Sequence, residues 1–236
     1  MSAGAARMAP VARPAVAMLA RSPRVPGKSR LTAGLPDASA AALRLALLLD
    51  TAQCLLAAGW PLHLFVTPHE DQRYVADAMR ADARLAPTAG QWQWHPQTEG
   101  DLGLRMADAM AGTLAAGHDA VVLVGSDLPA LPGSALTAAV AALSTAGGSR
   151  RLVFGPASDG GFYLVAGRGA WPKVFADVEW SRDAVLADVE ARARASALDV
   201  VRVESCDDVD VMADLDRLLL AQPTDRAPRT RQWATR

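Results

Sequence analysis

Short apolar runs alternate along the chain with longer Ala- and Leu-rich stretches, and turn residues separate the two kinds. AVAMLA (15–20) lies between Pro14 and a loop holding Pro23, Pro26 and Gly27, so it has the length and flanks of a first buried strand. ASAAALRLALLLDTAQCLLAAG (38–59) carries polar residues at Arg44, Asp50 and Gln53 and stops at Gly59, which predicts a helix with a glycine terminus. PLHLFVTP (61–68) predicts a strand, DQRYVADAMRADARLA (71–86) a helix with an exposed charged face, and QWQWHPQ (91–97) a short extended segment. A helix follows from Leu102 or Gly103 to Gly117, and then DAVVLVG (119–125) reads as a buried strand. GSALTAAVAALSTAGG (133–148) predicts a helix. RLVFGP (151–156) and GGFYLVAG (160–167) are strands separated by too little chain for a helical crossover, hence antiparallel. A helix at 181–197, a strand at 199–205 and a closing helix at 211–222 complete the pattern. Strands alternating with helices imply an α/β sandwich with a largely parallel sheet. In such sheets the ligand crevice lies beyond the carboxyl ends of the strands.

Composition narrows the classes. The 236 residues are 51% hydrophobic, enough for one large core. Residues 1–12 and 222–236 have the Pro, Arg and Thr content of a disordered extension and a flexible tail, leaving 13–221 as the domain. Lys and Arg number 24 against 25 Asp and Glu, so a net charge of −1 gives no reason to expect nucleic acid or an anionic membrane as partner. Cys54 and Cys206 alone make no disulfide framework, which fits a reducing compartment and a cytoplasmic protein. No apolar run approaches the roughly 18 residues of a membrane span. The four histidines are scattered, and His63 reads as a core or edge histidine.

Four constellations fall at strand ends. RSPRVPGKSRL (21–31) gathers Arg21, Arg24, Lys28 and Arg30 around the Pro26-Gly27 turn, the parts needed to neutralise a polyphosphate, although it lacks the Walker spacing; the plainer reading is a solvated basic loop. GSDLPAL (125–131) delivers Asp127 at the end of a strand, either as a turn cap or as a hard oxygen ligand for Mg²⁺ bridged to substrate phosphates. GPASDGGFYLVAG (155–167) puts Asp159, Gly160 and Gly161 in a hairpin turn, or where a sugar, base or acceptor approaches the backbone and Asp159 bonds a hydroxyl or amine. CDDVDVMADLD (206–216) holds Asp207, Asp208, Asp210, Asp214 and Asp216 at a helix start, more carboxylates than a cap requires, so one of them is a candidate second metal ligand. In GDLGLRM (100–106), Asp101 caps a helix and Arg105 is placed to reach a phosphate or base. Trp92, Trp94 and Trp180 read as packing residues. No GxSxG occurs and Ser126, Ser158 and Ser181 have no histidine nearby in sequence, so no hydrolase triad can be argued.

Taken in order, PGKSRL, LLLDT, GDLGLRM, VVLVGSDLP, GPASDGGFYL, VEWS and DVDVMADL resemble the DUF2064 family, glycosyltransferase-A-like proteins of the nucleotide-diphospho-sugar transferase superfamily. The resemblance covers roughly residues 15 to 220 and implies a three-layer Rossmann-like sandwich with a mixed, mostly parallel sheet. It also implies that Arg21, Lys28 and Arg30 hold phosphates, that Asp127 binds the metal, and that Asp210, with Asp208 as alternative, is the second carboxylate. KSRL and the DVD segment are similar as well to 2-phospho-L-lactate guanylyltransferases, which follow Asp-Gly-Gly with Thr-Asn where this chain has Phe162-Tyr163. Val211 stands where the family usually has threonine.

The expectation is therefore a Mg²⁺-dependent transferase using a nucleoside triphosphate or nucleotide sugar, with nucleotidyl transfer to a small phosphorylated acceptor as the leading form. Glycosyl transfer and a non-catalytic nucleotide-binding protein are the alternatives. Lys28, Arg30, Asp127 and Asp159 are the candidate catalytic residues. Arg21, Gly27, Lys28, Ser29, Arg30, Asp101, Arg105, Gly160 and Gly161 are the candidate nucleotide contacts, in a monomer or homodimer. Acceptor choice is expected to reside in DGGFYLVAG, VEWS and QWQWHPQ.

Overall fold

The computed structural model describes residues 11–180, 182–221 and 225–235. The expected N-terminal extension therefore lies outside the described residues at 1–10, as do Ser181 at the start of a predicted helix and part of the expected tail. The chain runs β1 (Pro14–Arg21), α1 (Ser29–Thr32), α2 (Asp37–Leu56), β2 (Leu62–Thr67), α3 (Gln72–Ala81), β3 (Trp92–Pro96), α4 (Leu102–Ala115), β4 (Ala120–Val124) and α5 (Gly133–Leu143). It continues through β5 (Arg151–Pro156), β6 (Phe162–Gly167), α6 (Pro172–Phe175), α7 (Val185–Ala195), β7 (Asp199–Arg202), α8 (Met212–Leu220) and α9 (Pro228–Ala234).

The strands form one seven-stranded sheet in the order β3-β2-β1-β4-β6-β5-β7. Only β6 runs antiparallel to its neighbours, β4 and β5, as the short 156–162 connection requires. Alternation along each strand feeds both faces. Val16, Met18 and Ala20 of β1 pack under α2, α3 and α5, whereas Ala17 joins Phe65, Leu123, Phe154 and Val165 under α4, α6 and α7. Burial on both faces is why β4 is an unbroken apolar run, AVVLV, fully buried throughout. The chain is thus a three-layer α/β sandwich with a mixed, mostly parallel sheet.

Three expectations are corrected. The helix predicted over 71–86 ends at Ala81, where Asp82 turns the chain by accepting from the amides of Arg84 (3.0 Å) and Leu85 (3.1 Å). One helix among the described residues, Asp37–Leu56, does reach the length and apolarity of a membrane span; it is α2, which lies packed in the core. Within the tail expected to be flexible, Pro228–Ala234 is a helix against α2. There the side chain of Arg229 meets the fully buried carboxylate of Asp50 at 2.8 Å and also Asp82, and Trp233 joins a small cluster with Leu31, Leu43, Leu47 and Leu215.

Candidate functional site

Asp127 stands just past the end of β4, and three features fix it there. A Cβ on Gly125 would come within 2.8 Å of Asp127 Oδ1, so glycine there leaves the carboxylate free to hold this position. The next amide, Leu128 N, donates to the buried Thr51 Oγ1 of α2 at 2.9 Å. The Asp127 carbonyl accepts from Val209 N at 3.0 Å, which ties the strand end to the DVD segment.

Beyond β1 the chain turns through Pro26-Gly27 and reaches Lys28 in the left-handed region, φ 52° and ψ 47°, immediately before α1. Such a backbone costs a non-glycine residue about 1–2 kcal/mol. Here it aims the ammonium at the carboxylates, with Lys28 Nζ 2.6 Å from Asp127 Oδ2, 3.4 Å from Asp208 Oδ2 and 3.5 Å from Asp210 Oδ1. Arg30 pairs with Asp210 from the solvent side. Burial works against the Lys28 charge, but the three carboxylates, Asp127 foremost, raise its pKa above the usual lysine value. Asp208 is pushed up to about 6, first by burial and then by the nearby Asp127.

Two cavities meet at this cluster and share Arg21, Ser126 and Asp127. The smaller, about 260 Å³, lies on the α2 side and is lined by cations, Arg21, Lys28 and Arg44, with Gly27. The larger, about 430 Å³, opens over β6 and α4. Its walls are largely apolar, with Leu19, Met106, Leu123, Phe162 and Trp180, and its charged groups are Asp127, Asp159, Asp208, Arg21 and Arg182. The indole Nε1 of Trp180 is buried there without a hydrogen-bond partner among the described residues. Gly103 of α4 admits Trp180, since a Cβ would lie 2.9 Å from its ring and 2.1 Å from the Phe175 carbonyl.

The expected residues divide accordingly. Lys28, Arg30, Asp127, Asp208 and Asp210 come together, and Arg21 and Gly27 line the adjoining space. Ser29 opens α1 behind them. Asp159 and Gly161 line the larger cavity, and Asp159 Oδ1 also accepts from Gly161 N at 2.9 Å. Gly160 (φ 85°) meets the chain itself, because a Cβ there would lie 1.6 Å from the Asp183 carbonyl. Asp101 caps α4 by accepting from Leu104 N at 2.8 Å, and neither it nor Arg105 lines either of these two cavities. Of the remaining acids, Asp207 holds Ser158 N (2.8 Å) and Asp214 reaches back from the first turn of α8 to accept from the amides of Asp210 and Val211. Phe162 and Trp180 bring DGGFYLVAG and VEWS to the larger cavity, whereas no residue of 91–97 reaches it.

Sequence reasoning passed over Arg44, Thr51 and Arg182. Arg44 and Thr51 lie in an Ala- and Leu-rich helix, where a buried hydroxyl or a cation next to apolar neighbours is itself the signal. The histidines also proved less scattered than their sequence positions. His63 is fully buried, with Nδ1 2.9 Å from His95 Nε2 and Nε2 3.0 Å from His118 Nε2, near the amino end of β2 and away from Asp127.

Comparison with known proteins agrees with this architecture. A crystal structure of a candidate nucleotide-diphospho-sugar transferase from Desulfovibrio desulfuricans G20 is 27% identical, covers 94% of each chain and superposes with a TM-score of 0.75. CMP:2-keto-3-deoxy-manno-octonic acid synthetase, solved with CTP, is 14% identical over 88% of this chain and 97% of its own, with a TM-score of 0.53. A cytidylyltransferase from Leptospira borgpetersenii serovar Hardjo-bovis is 13% identical over 87% and 84%, also at 0.53, and at such identities the likeness is one of fold. No curated protein matched. The family profile described as "Uncharacterized protein conserved in bacteria (DUF2064)" matches residues 49–182, which include Thr51, Asp127, Asp159 and Trp180 and stop short of Lys28 and the DVD segment. Since that match spans more than half of the residues, on a nucleotidyl- and glycosyltransferase fold, the chain belongs to the DUF2064 family.

Proposed function

We propose that the chain is a nucleotide-dependent transferase that binds the phosphates of a nucleoside triphosphate at the cationic turn after β1 and transfers the nucleotidyl group to a small phosphorylated acceptor. The observation that carries this reading is the meeting of Lys28 with Asp127, Asp208 and Asp210 where a cation-lined cavity joins a larger, largely apolar one. Arg21, Lys28 and Arg44 around the smaller cavity suit a polyphosphate.

The donor chemistry of the cluster suits a hard divalent cation, because three carboxylates from two segments already surround one cationic atom. As they stand, no group of three or more His, Cys, Asp or Glu side chains among the described residues is spaced to hold a metal ion, and in this cluster the ammonium takes the centre. Mg²⁺ would be held by Asp127 with Asp210 and Asp208, and would supply charge neutralisation at the transferring phosphoryl group. The acceptor oxygen attacks the α-phosphorus and forms the new P–O bond, while the bond to the bridging oxygen breaks and pyrophosphate leaves with its electron pair. Positioning and electrostatics carry such chemistry, so no protein nucleophile is required. Arg21, which lines both cavities, is placed to touch both substrates.

A second reading is glycosyl transfer from a nucleotide sugar. It is favoured by the balance in the larger cavity, where Asp127, Asp159 and Asp208 outnumber Arg21 and Arg182, a setting better suited to a neutral hydroxyl acceptor than to a phosphate. Incubation with nucleoside triphosphates and nucleotide sugars in Mg²⁺, each with a panel of sugar and sugar-phosphate acceptors, separates the two. Nucleotidyl transfer predicts thermal stabilisation by a triphosphate and release of pyrophosphate, with turnover falling about 100-fold or more in Asp127→Asn. Stabilisation by nucleotide sugars alone would transfer the assignment to the second reading, and full activity of Asp127→Asn would remove the metal site from both.

A further inference from the structure

We propose that Lys28 is the resident counter-ion of the carboxylate cluster and surrenders its place to a divalent cation, so that the metal-free chain holds its own site partly neutralised. The proposal rests on the metal-assisted reading above and adds to it a competition within the chain.

The ammonium stands 2.6, 3.4 and 3.5 Å from oxygens of Asp127, Asp208 and Asp210, and its side chain is only 18% exposed. A divalent ion of the Mg²⁺ kind needs oxygen ligands at about 2.0–2.1 Å. It therefore has to lie within the volume the ammonium fills, and two cations cannot share that volume. One ammonium also leaves the cluster short of charge, with only the solvent-facing Arg30 added on Asp210. A divalent ion supplies the second charge without Lys28.

The displaced side chain has somewhere to go. Lys28 already lines the smaller cavity beside Gly27 and Arg44, so a change of rotamer moves the ammonium from the carboxylates towards the space suited to phosphates. Residue choice fits this role. The chain has 24 Lys and Arg residues, of which only Lys28 and Lys173 are lysines. An ammonium on a flexible stem is a compact charge that can leave, whereas a guanidinium fork makes paired bonds to carboxylates and holds on. Arg30, two residues on and paired with Asp210, is such a holder.

Manganese titration followed by electron paramagnetic resonance, without nucleotide, tests the exchange. Lys28→Met should bind Mn²⁺ about tenfold more tightly than the unaltered chain, the effect of relieving about 1.4 kcal/mol of competition, and Lys28→Arg should bind no more tightly than it. Equal or weaker binding by Lys28→Met, with Asp127→Asn still abolishing binding, would overturn the exchange and leave the proposed function standing. Mn²⁺ binding that survives Asp127→Asn would remove the metal reading and the exchange with it. Amine acylation of the unaltered protein gives a readout that needs no variant at Lys28. Mn²⁺ should raise the acylation rate of Lys28 severalfold while exposed Lys173 serves as an internal reference, and an unchanged Lys28 rate at saturating Mn²⁺ would refute the displacement.

Discussion

A single hydroxyl, that of Thr51, joins the helix layer to the loop of the candidate site. It donates to Leu47 O at 2.8 Å within α2 and accepts from Leu128 N at 2.9 Å, the amide next to Asp127. Thr51→Val keeps the shape and leaves that buried amide unpaired, so it should cost about 1–3 kcal/mol in urea unfolding. Thr51→Ser should recover most of the loss. A Thr51→Val protein within about 0.5 kcal/mol of the unaltered chain would mean that the amide finds another partner. At this scale Asp127 was a candidate from sequence, because a cationic turn after the first strand and an acidic DVD segment before the last core helix set a carboxylate beyond a buried strand apart from a plain turn cap. Its supports were not legible, because Thr51 and Val209 lie far from it along the chain and close to it only after folding.

Among the elements, α9 departs most from what its composition implies. PTDRAPRTRQWATR is as polar as a disordered tail, yet Pro228–Ala234 forms a helix that docks by charge as much as by apolar contact. The Asp50 carboxylate, fully buried, accepts from Thr230 N and Thr230 Oγ1 at 2.8 Å each and from the Arg229 guanidinium. Arg229→Met should leave Asp50 without its counter-charge and cost about 3 kcal/mol, since breaking a buried pair strands the remaining ion. The double variant Arg229→Met with Asp50→Leu should be less destabilised than the single, and thermal unfolding of both is the measurement; a double variant as unstable as the sum of the singles would remove the coupling. The clue in the sequence was the aspartate inside LLLDT, on the inward side of an apolar helix, which demands a partner. It does not say which of the chain's 24 lysines and arginines supplies it, and here that partner stands 179 residues away.

For the whole molecule, a net charge of −1 conceals a strong segregation in which cations and carboxylates converge beyond the strand ends while histidines collect towards the other end of the sheet. Burial, with His95 and His118 beside it, lowers the His63 pKa to about 4. The folded state thus keeps this imidazole neutral while the unfolded chain takes up a proton near pH 6.5. The unfolded state binds more protons between those values, so stability present above about pH 6.5 should decline as the pH falls towards 4, by an amount on the order of 1–3 kcal/mol. His63→Gln should flatten that part of the stability profile, and an unchanged slope between pH 6.5 and 4 would assign it to other groups.

Apolar periodicity is a local property, and by itself it determined the succession of the seven strands and the longer helices, the antiparallel return at 156–162 and the strand end that delivers Asp127. Tertiary structure alone decided the strand order, which places β4 beside β1 and so brings Lys28 to Asp127, and it decided that a DVD segment 182 residues from Lys28 would complete the cluster. The physical reason is that period and turn chemistry act over a few residues, whereas partners for buried charges are set by which elements the closed core makes adjacent.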